Sequence, residues 1–154
     1  MQPAATVNLR AELGRRGEEL AAAYLEQQGY SLVAANVTLP VGRNLRGATV
    51  NAEIDLIAYD GETLCFVEVK TRASDWFAPP QVNVDLRKRR QIARAARAYR
   101  HMLGLHDTSY RYDVVSVVLP ADSDLIAKLQ IEILRGFWTE DHLRKRRFIE
   151  RYWD

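Results

Sequence analysis

Two segments that should pair across a tight turn carry charges where a buried sheet would normally carry none. They read Glu53-Ile54-Asp55-Leu56-Ile57-Ala58-Tyr59, then Asp60-Gly61, then Glu62-Thr63-Leu64-Cys65-Phe66-Val67-Glu68-Val69-Lys70. Asp-Gly between two alternating apolar runs predicts a hairpin with a two-residue turn. That register pairs Tyr59 with Glu62, Asp55 with Phe66 and Glu53 with Glu68. Glu53, Asp55, Glu68 and Lys70 then share one sheet face. Ile54, Leu56, Ala58, Cys65, Val67 and Val69 form the apolar face opposite. A one-residue slip would mix the two, so the pattern resists it. Charges in such strands are costly unless paired or bound to an ion.

The pairing makes Asp55 and Glu68 diagonal neighbours, roughly 7–8 Å apart at the backbone. Two carboxylates plus water suit a hard cation, Mg²⁺ or Mn²⁺. Such an ion acidifies a bound water and steadies charge developing on a phosphate. Lys70 points the same way and can neutralise that charge. An acid–lysine ladder on a solvated sheet face would show the same pattern.

The remaining chain supplies the frame. At 154 residues and 47% hydrophobic, it suits one globular domain. Residues 11–28 predict a helix closed by Gly29, with Leu13, Gly17, Leu20, Ala21, Tyr24 and Leu25 on one face. Glu18 lies at the edge of that face. It is either a further inward carboxylate over the sheet or a boundary residue paired with arginine. Residues 30–36 predict a short strand, and 39–51 a loop or an extended hairpin. A second helix spans 86–103, with Ile92, Ala96, Tyr99 and Leu103 as its buried stripe. Strands follow at 110–119 and 129–134. Thr139 then caps a basic C-terminal helix over about 139–153. The order αβββαβ, followed by one more strand, predicts an α/β fold: a mixed central sheet flanked by helices.

Net charge is only +2, but the basic residues are clustered. From Arg87 to Arg100 there are seven and no acid, and from Arg144 to Arg151 five against one Glu. Arg87, Arg90, Arg94 and Arg97 lie opposite the buried stripe. They are candidate phosphate contacts or a solvated face. Lys88 lies off that row, towards the buried edge, and is the better candidate for the acidic site. The three histidines show no ligand spacing. Trp76, Phe77 and Trp138 are better placed to close the core than to stack on bases. A single cysteine excludes an internal disulfide and a multi-cysteine zinc site. No apolar run reaches membrane-spanning length, and the N-terminus lacks a signal-peptide pattern. A cytoplasmic protein is the expectation.

Several of these segments together resemble the bacterial YraN-type family. They are Gly17-Glu18 with Ala21, Tyr24-Leu25 and Gly29-Tyr30; the stretch 53–58; Phe66-Val67-Glu68-Val69-Lys70-Thr71-Arg72; Lys88; Ala96 to Tyr99; and Arg111-Tyr112-Asp113-Val114-Val115. The resemblance runs over about residues 13–137. That family is similar to archaeal Holliday-junction resolvases, within the restriction-endonuclease-like PD-(D/E)xK superfamily. The resemblance implies an αβββαβ nuclease core with Glu18, Asp55, Glu68 and Lys70 at the catalytic positions. Asp55 and Glu68 would bind the metal. Arg72 joins Arg87, Lys88, Arg90, Arg94 and Arg97 as candidate nucleic-acid contacts. The implied partner is branched or structured DNA, cut by a homodimer, since two strands need two sites. The chain departs from the family at Ala52 and Ala78, where glycine is usual, and in a longer segment over 40–51. Two rival functions remain: a non-catalytic nucleic-acid-binding module, and a protein-interaction adaptor docking through the C-terminal helix.

Overall fold

Helix-period and strand-period patterns alternate along the chain, and the computed structural model shows the sheet they build. It describes residues 3–75, 82–123, 126, 128–141 and 143. Helix α1 spans Pro3–Gln27, β1 Ser31–Arg43, β2 Thr49–Asp60, β3 Thr63–Ala73, α2 Leu86–Met102, β4 Tyr110–Leu119 and β5 Gln130–Trp138. The strands form one sheet in the order β1-β2-β3-β4-β5. Only β3 and β4 run parallel; the other neighbours are antiparallel. This is the expected α/β architecture, with α1 on one face and α2 on the other.

Helix α1 ends because Gly29 adopts a φ of +92° and Tyr30 N–H donates back to the Leu25 carbonyl at 2.9 Å. Its buried face packs Ala21 and Leu25 on Leu56, Ala58, Cys65, Val67, Val115 and Val117. Gly17 brings α1 hard against β3, where a β-carbon would lie 1.9 Å from Thr71 Oγ1. On the opposite face, Ile92, Ala95, Ala96 and Tyr99 of α2 pack on Ile57, Leu64, Phe66 and Val114. Asp85 caps α2 by accepting from Lys88 N–H at 2.8 Å. Leu103, expected in the buried stripe, is instead the exposed C-cap, and Ala95 joins Ile92, Ala96 and Tyr99 on the buried face.

The segment over 39–51 is an extended hairpin, not a loop: β1 and β2 pair from Ser31↔Tyr59 out to Arg43↔Thr49. Strand β1 is one edge of the sheet. It carries register irregularities at Leu32/Ala34 and Pro40/Gly42. Strand β5 is the other edge, with an irregularity opposite Tyr112/Val114 and Gly136 at a φ of +59°. It runs four residues beyond its expected end, because Trp138 stacks on Tyr112 at 3.8 Å and is 5% exposed. Trp138 therefore closes the core. Trp76, Phe77 and most of the expected C-terminal helix lie outside the described residues.

The β2–β3 register differs from expectation by two residues. Asp60 pairs with Thr63, Tyr59 with Leu64, and Ile57 with Phe66, so the turn is Gly61-Glu62. Gly61, at a φ of +61°, occupies the first turn position, as a type II′ turn requires. Asp60 joins the strand because its carboxylate is held by Arg111 at 2.9 Å. A two-residue shift preserves the faces. However, Ile54 and Ile57 both pack in the α2-side cluster, so strict alternation breaks around Asp55 and the apolar face lacks Ile54.

Candidate functional site

The β2–β3 ladder stops at Leu56↔Val67. Continuing the same register would set Asp55 level with Glu68, in place of the expected diagonal. Instead of extending the ladder, Asp55 Oδ2 accepts a hydrogen bond from Val69 N–H at 2.8 Å. The side chain thus bridges the strands where their backbones cease to pair.

Glu68 is 6% exposed. Its Oε1 lies 3.7 Å from Lys70 Nζ and 3.8 Å from Lys88 Nζ. Its Oε2 is buried with no hydrogen-bond partner among the described residues. Burial, reinforced by the Asp55 charge and opposed by Lys88 and Lys70, pushes the carboxyl up to about 7. Orphaned buried carboxylate oxygens are costly and rare in folded proteins. A hard divalent cation between Asp55 and Glu68 would satisfy the orphan and favour the ionised form. No group of three or more His, Cys, Asp or Glu side chains arranged to hold an ion occurs among the described residues. The protein's donors would be these two carboxylates, with water completing the shell.

Glu18 reaches the same place from α1, because Gly17 lets the helix sit close. Burial, then the Asp55 charge, raises its pKa, while a hydrogen bond from Asn36 opposes the rise. A cleft of about 270 Å³ opens beside it, lined by Arg10, Gly14, Val69, Lys70 and Thr71. Glu18, Asp55, Glu68, Lys70 and Lys88 are therefore brought together beside β3.

Asn36 is a residue the sequence reading missed. It lies within β1 with a φ of +51°, a left-handed conformation uncommon for non-glycine residues. With its amide oriented to donate, it reaches Glu18 Oε2 at 2.9 Å and Glu53 Oε1 at 3.1 Å. One neutral amide thereby holds two carboxylates that would otherwise repel. The only signal in the sequence was an asparagine inside an apolar strand.

The candidate nucleic-acid contacts are more dispersed. Arg87, Arg94 and Arg97 are exposed along α2, Arg90 partly so. Arg72 is half-buried in β3, paired in register with Val118. Lys88 alone of the expected set turns to the acidic cluster.

Tyr30, Arg111 and Asp113, prominent in the sequence pattern, gather instead near the β2–β3 turn. Asp113, 1% exposed, accepts from Arg111 Nε at 2.7 Å, Tyr30 Oη at 3.1 Å and Gly136 N–H at 2.8 Å. Arg111 also donates to Asp60 at 2.9 Å. This network ties the α1–β1 turn, β2, β4 and β5 together, and its role is architectural. Cys65 beneath it is buried, which pushes its thiol up to about 12. It fills space and is no nucleophile.

The five-stranded mixed sheet and its flanking helices define an α/β protein, an architecture consistent with a nuclease-like core. Known sequences place it more narrowly. The profile of the uncharacterised protein family UPF0102 matches residues 17–117. The chain is 41% identical over 130 residues to a UPF0102 protein of Chlorobium limicola, covering 83% of this chain and 93% of that one. It is 43% identical over 123 residues to one from Solibacter usitatus, covering 80% and 83%. A Geobacter sulfurreducens relative is 42% identical over 107 residues, covering 70% and 76%. The chain belongs to UPF0102, the YraN-type family. No helix among the described residues is long and apolar enough to cross a membrane.

Proposed function

We propose that the protein is a Mg²⁺- or Mn²⁺-dependent endonuclease that hydrolyses phosphodiester bonds in branched or otherwise structured DNA. The observation that carries this reading is the Glu68 carboxylate. It is buried, has one oxygen unpartnered among the described residues, has Asp55 beside it, and is flanked by two lysines. Bound there, a divalent cation would supply positive charge against the developing pentavalent phosphate and acidify a water.

The chain's own residues have separable tasks. Asp55 holds its carboxylate rigid through Val69 N–H, so the strand gap stays open at a fixed width. Lys88 draws Glu68 Oε1 towards α2 and leaves Oε2 for the ion. Lys70, 41% exposed, reaches out to the phosphate. Glu18, steadied by Asn36, faces the cleft beside Lys70 and can hold a water there. Arg72 and the exposed arginines of α2 offer phosphate contacts that position the strand without reading its sequence. The preference for branched DNA rests on the family's similarity to junction resolvases. A homodimer acting in the cytoplasm fits that reading.

The test is Mn²⁺ titration of the wild type and Asp55→Asn, alongside incubation with junction, flap, single-stranded and duplex DNA. Metal-dependent cleavage by the wild type, with weakened Mn²⁺ binding in the variant, is expected. Equal Mn²⁺ affinity and no cleavage of any DNA would leave the binding-module reading in its place.

A further inference from the structure

The β1–β2 hairpin continues well past the site. Its base is anchored where Leu39 and Ala52 are buried in the α2-side core. Beyond that point every residue from Gly42 to Asn51 is exposed. Thr49 lies six residues along β2 from Asp55, which corresponds to about 20 Å of strand.

The tip is nonetheless ordered. Asn44 Oδ1 accepts from Arg46 N–H and Ala48 N–H, each at 3.0 Å. Asn44 N–H donates to the Ala48 carbonyl and Gly47 N–H to the Asn44 carbonyl, both at 2.9 Å. Gly47 supplies the required left-handed turn with a φ of +79°. Arg43 Nη1 reaches the Gly47 carbonyl at 3.4 Å. The product of all this bonding is Leu45 held at 108% exposure between two arginines. A single exposed leucine is ordinary on a surface. Here it crowns a fixed turn in a stretch, Val37 to Ala52, that holds two arginines and no acid.

A partner for such a tip must present anions and an apolar face together, as nucleic acid does with its phosphates and bases. A second copy of this chain, itself at net +2, is not the polyanion that two arginines and no acid call for. We propose that the hairpin tip is a second DNA-contacting element: Arg43 and Arg46 take phosphates while Leu45 wedges against an exposed base face. Resting on the nuclease reading for the position of the cut, the reach corresponds to about six base pairs at 3.4 Å each. A base face is free only where a step is already unstacked, so the wedge favours branched over continuous duplex.

The experiment measures metal-free binding to a four-way junction carrying 2-aminopurine at the branch, and to a duplex of the same sequence. The wild type should raise 2-aminopurine fluorescence at the junction. Leu45→Ser should keep its salt slope and melting point yet lose that rise, together with about tenfold of its junction preference. Arg46→Ser should lower the salt slope by about one. Unchanged fluorescence and preference in Leu45→Ser overturn the proposal. So does a wild-type dimer that Leu45→Ser dissociates with DNA binding intact, since the occupant is then a second copy. Wild type that unstacks the junction but never cuts it with Mn²⁺ sinks the nuclease reading and leaves the hairpin's role standing.

Discussion

Gly17→Ala separates the packing of α1 from the chemistry it serves. The new β-carbon would meet Thr71 Oγ1 at 1.9 Å, Cγ2 at 2.7 Å and Cβ at 2.8 Å. Rotating Thr71 moves the first two atoms but not the third. Carbon–carbon contact wants about 3.5–4.0 Å, so α1 must retreat by about 1 Å even after Thr71 yields. Overpacking of this kind costs about 1–3 kcal/mol, and the helix-propensity gain from glycine to alanine offsets about 1 kcal/mol. The net loss is about 0–2 kcal/mol, or a melting point lower by several degrees at most. Function should suffer more, because the same retreat carries Glu18 away from Asp55 and Lys70. A displacement near 1 Å is worth about 10²-fold in rate. Urea unfolding and Mn²⁺-dependent cleavage of a junction substrate measure the two effects. Thr71→Ala in the Gly17→Ala background should recover part of both, with a coupling energy above about 0.5 kcal/mol. If Gly17→Ala were more stable than wild type, with zero coupling to Thr71 and unchanged cleavage, the close approach would not position Glu18.

Glu68 predicts a pH dependence in metal-free buffer. Its folded pKa of about 7 lies above the ordinary value of 4.5, so the native state holds more protons across that window. Stability should fall as pH rises from about 5 to 8, Glu68→Gln should flatten the fall, and urea midpoints across that range read it. Asn36→Gly keeps the left-handed backbone but deletes the amide between Glu18 and Glu53. It should melt near the wild type while losing more than about tenfold in cleavage, whereas Asn36→Ala should add about 1–2 kcal/mol of backbone strain; equal cleavage by Asn36→Gly and wild type would reduce Asn36 to a turn residue. Lys70→Ala should lose about 10²-fold in cleavage with Mn²⁺ affinity held, and a matching loss of metal affinity would make Lys70 a structural partner of Glu68 instead.

Period and turn chemistry made the elements legible. Helix α2 and strand β4 fall within a residue of their expected bounds, since each has a clear pattern: a buried stripe opposite a row of arginines in α2, and an apolar run in β4. What sequence alone missed has local causes. The β2–β3 turn moved by one residue, and the register by two, because Asp60 is recruited into the sheet by Arg111, 51 residues away. A shift of two keeps the alternation of β3, so Asp55, Glu68 and Lys70 still come together, although Ile54 changes face where the alternation of β2 breaks. Lys88 stood apart in the sequence by its place off the arginine row, and its Nζ lies 3.8 Å from Glu68 Oε1. Asn36 was not, because its importance lies in a backbone angle that no composition reveals. Tyr30 and Asp113 were legible as a pattern but not as a network, since their meaning depends on four elements meeting.

The interrupted edges of the sheet limit how two copies could assemble. An open edge normally invites another strand, whether in a filament or in a dimer that continues the sheet. On β1, Pro40 has no N–H to offer, and irregularities at Leu32/Ala34 and Pro40/Gly42 turn the bonding groups out of line. On β5, the left-handed Gly136 breaks the row, and its N–H is already taken by Asp113. Neither border presents a straight template for strand addition. A two-fold partner would therefore be joined through side chains on the helices, away from the strand borders, and the sheet is guarded on both flanks against edge-to-edge aggregation.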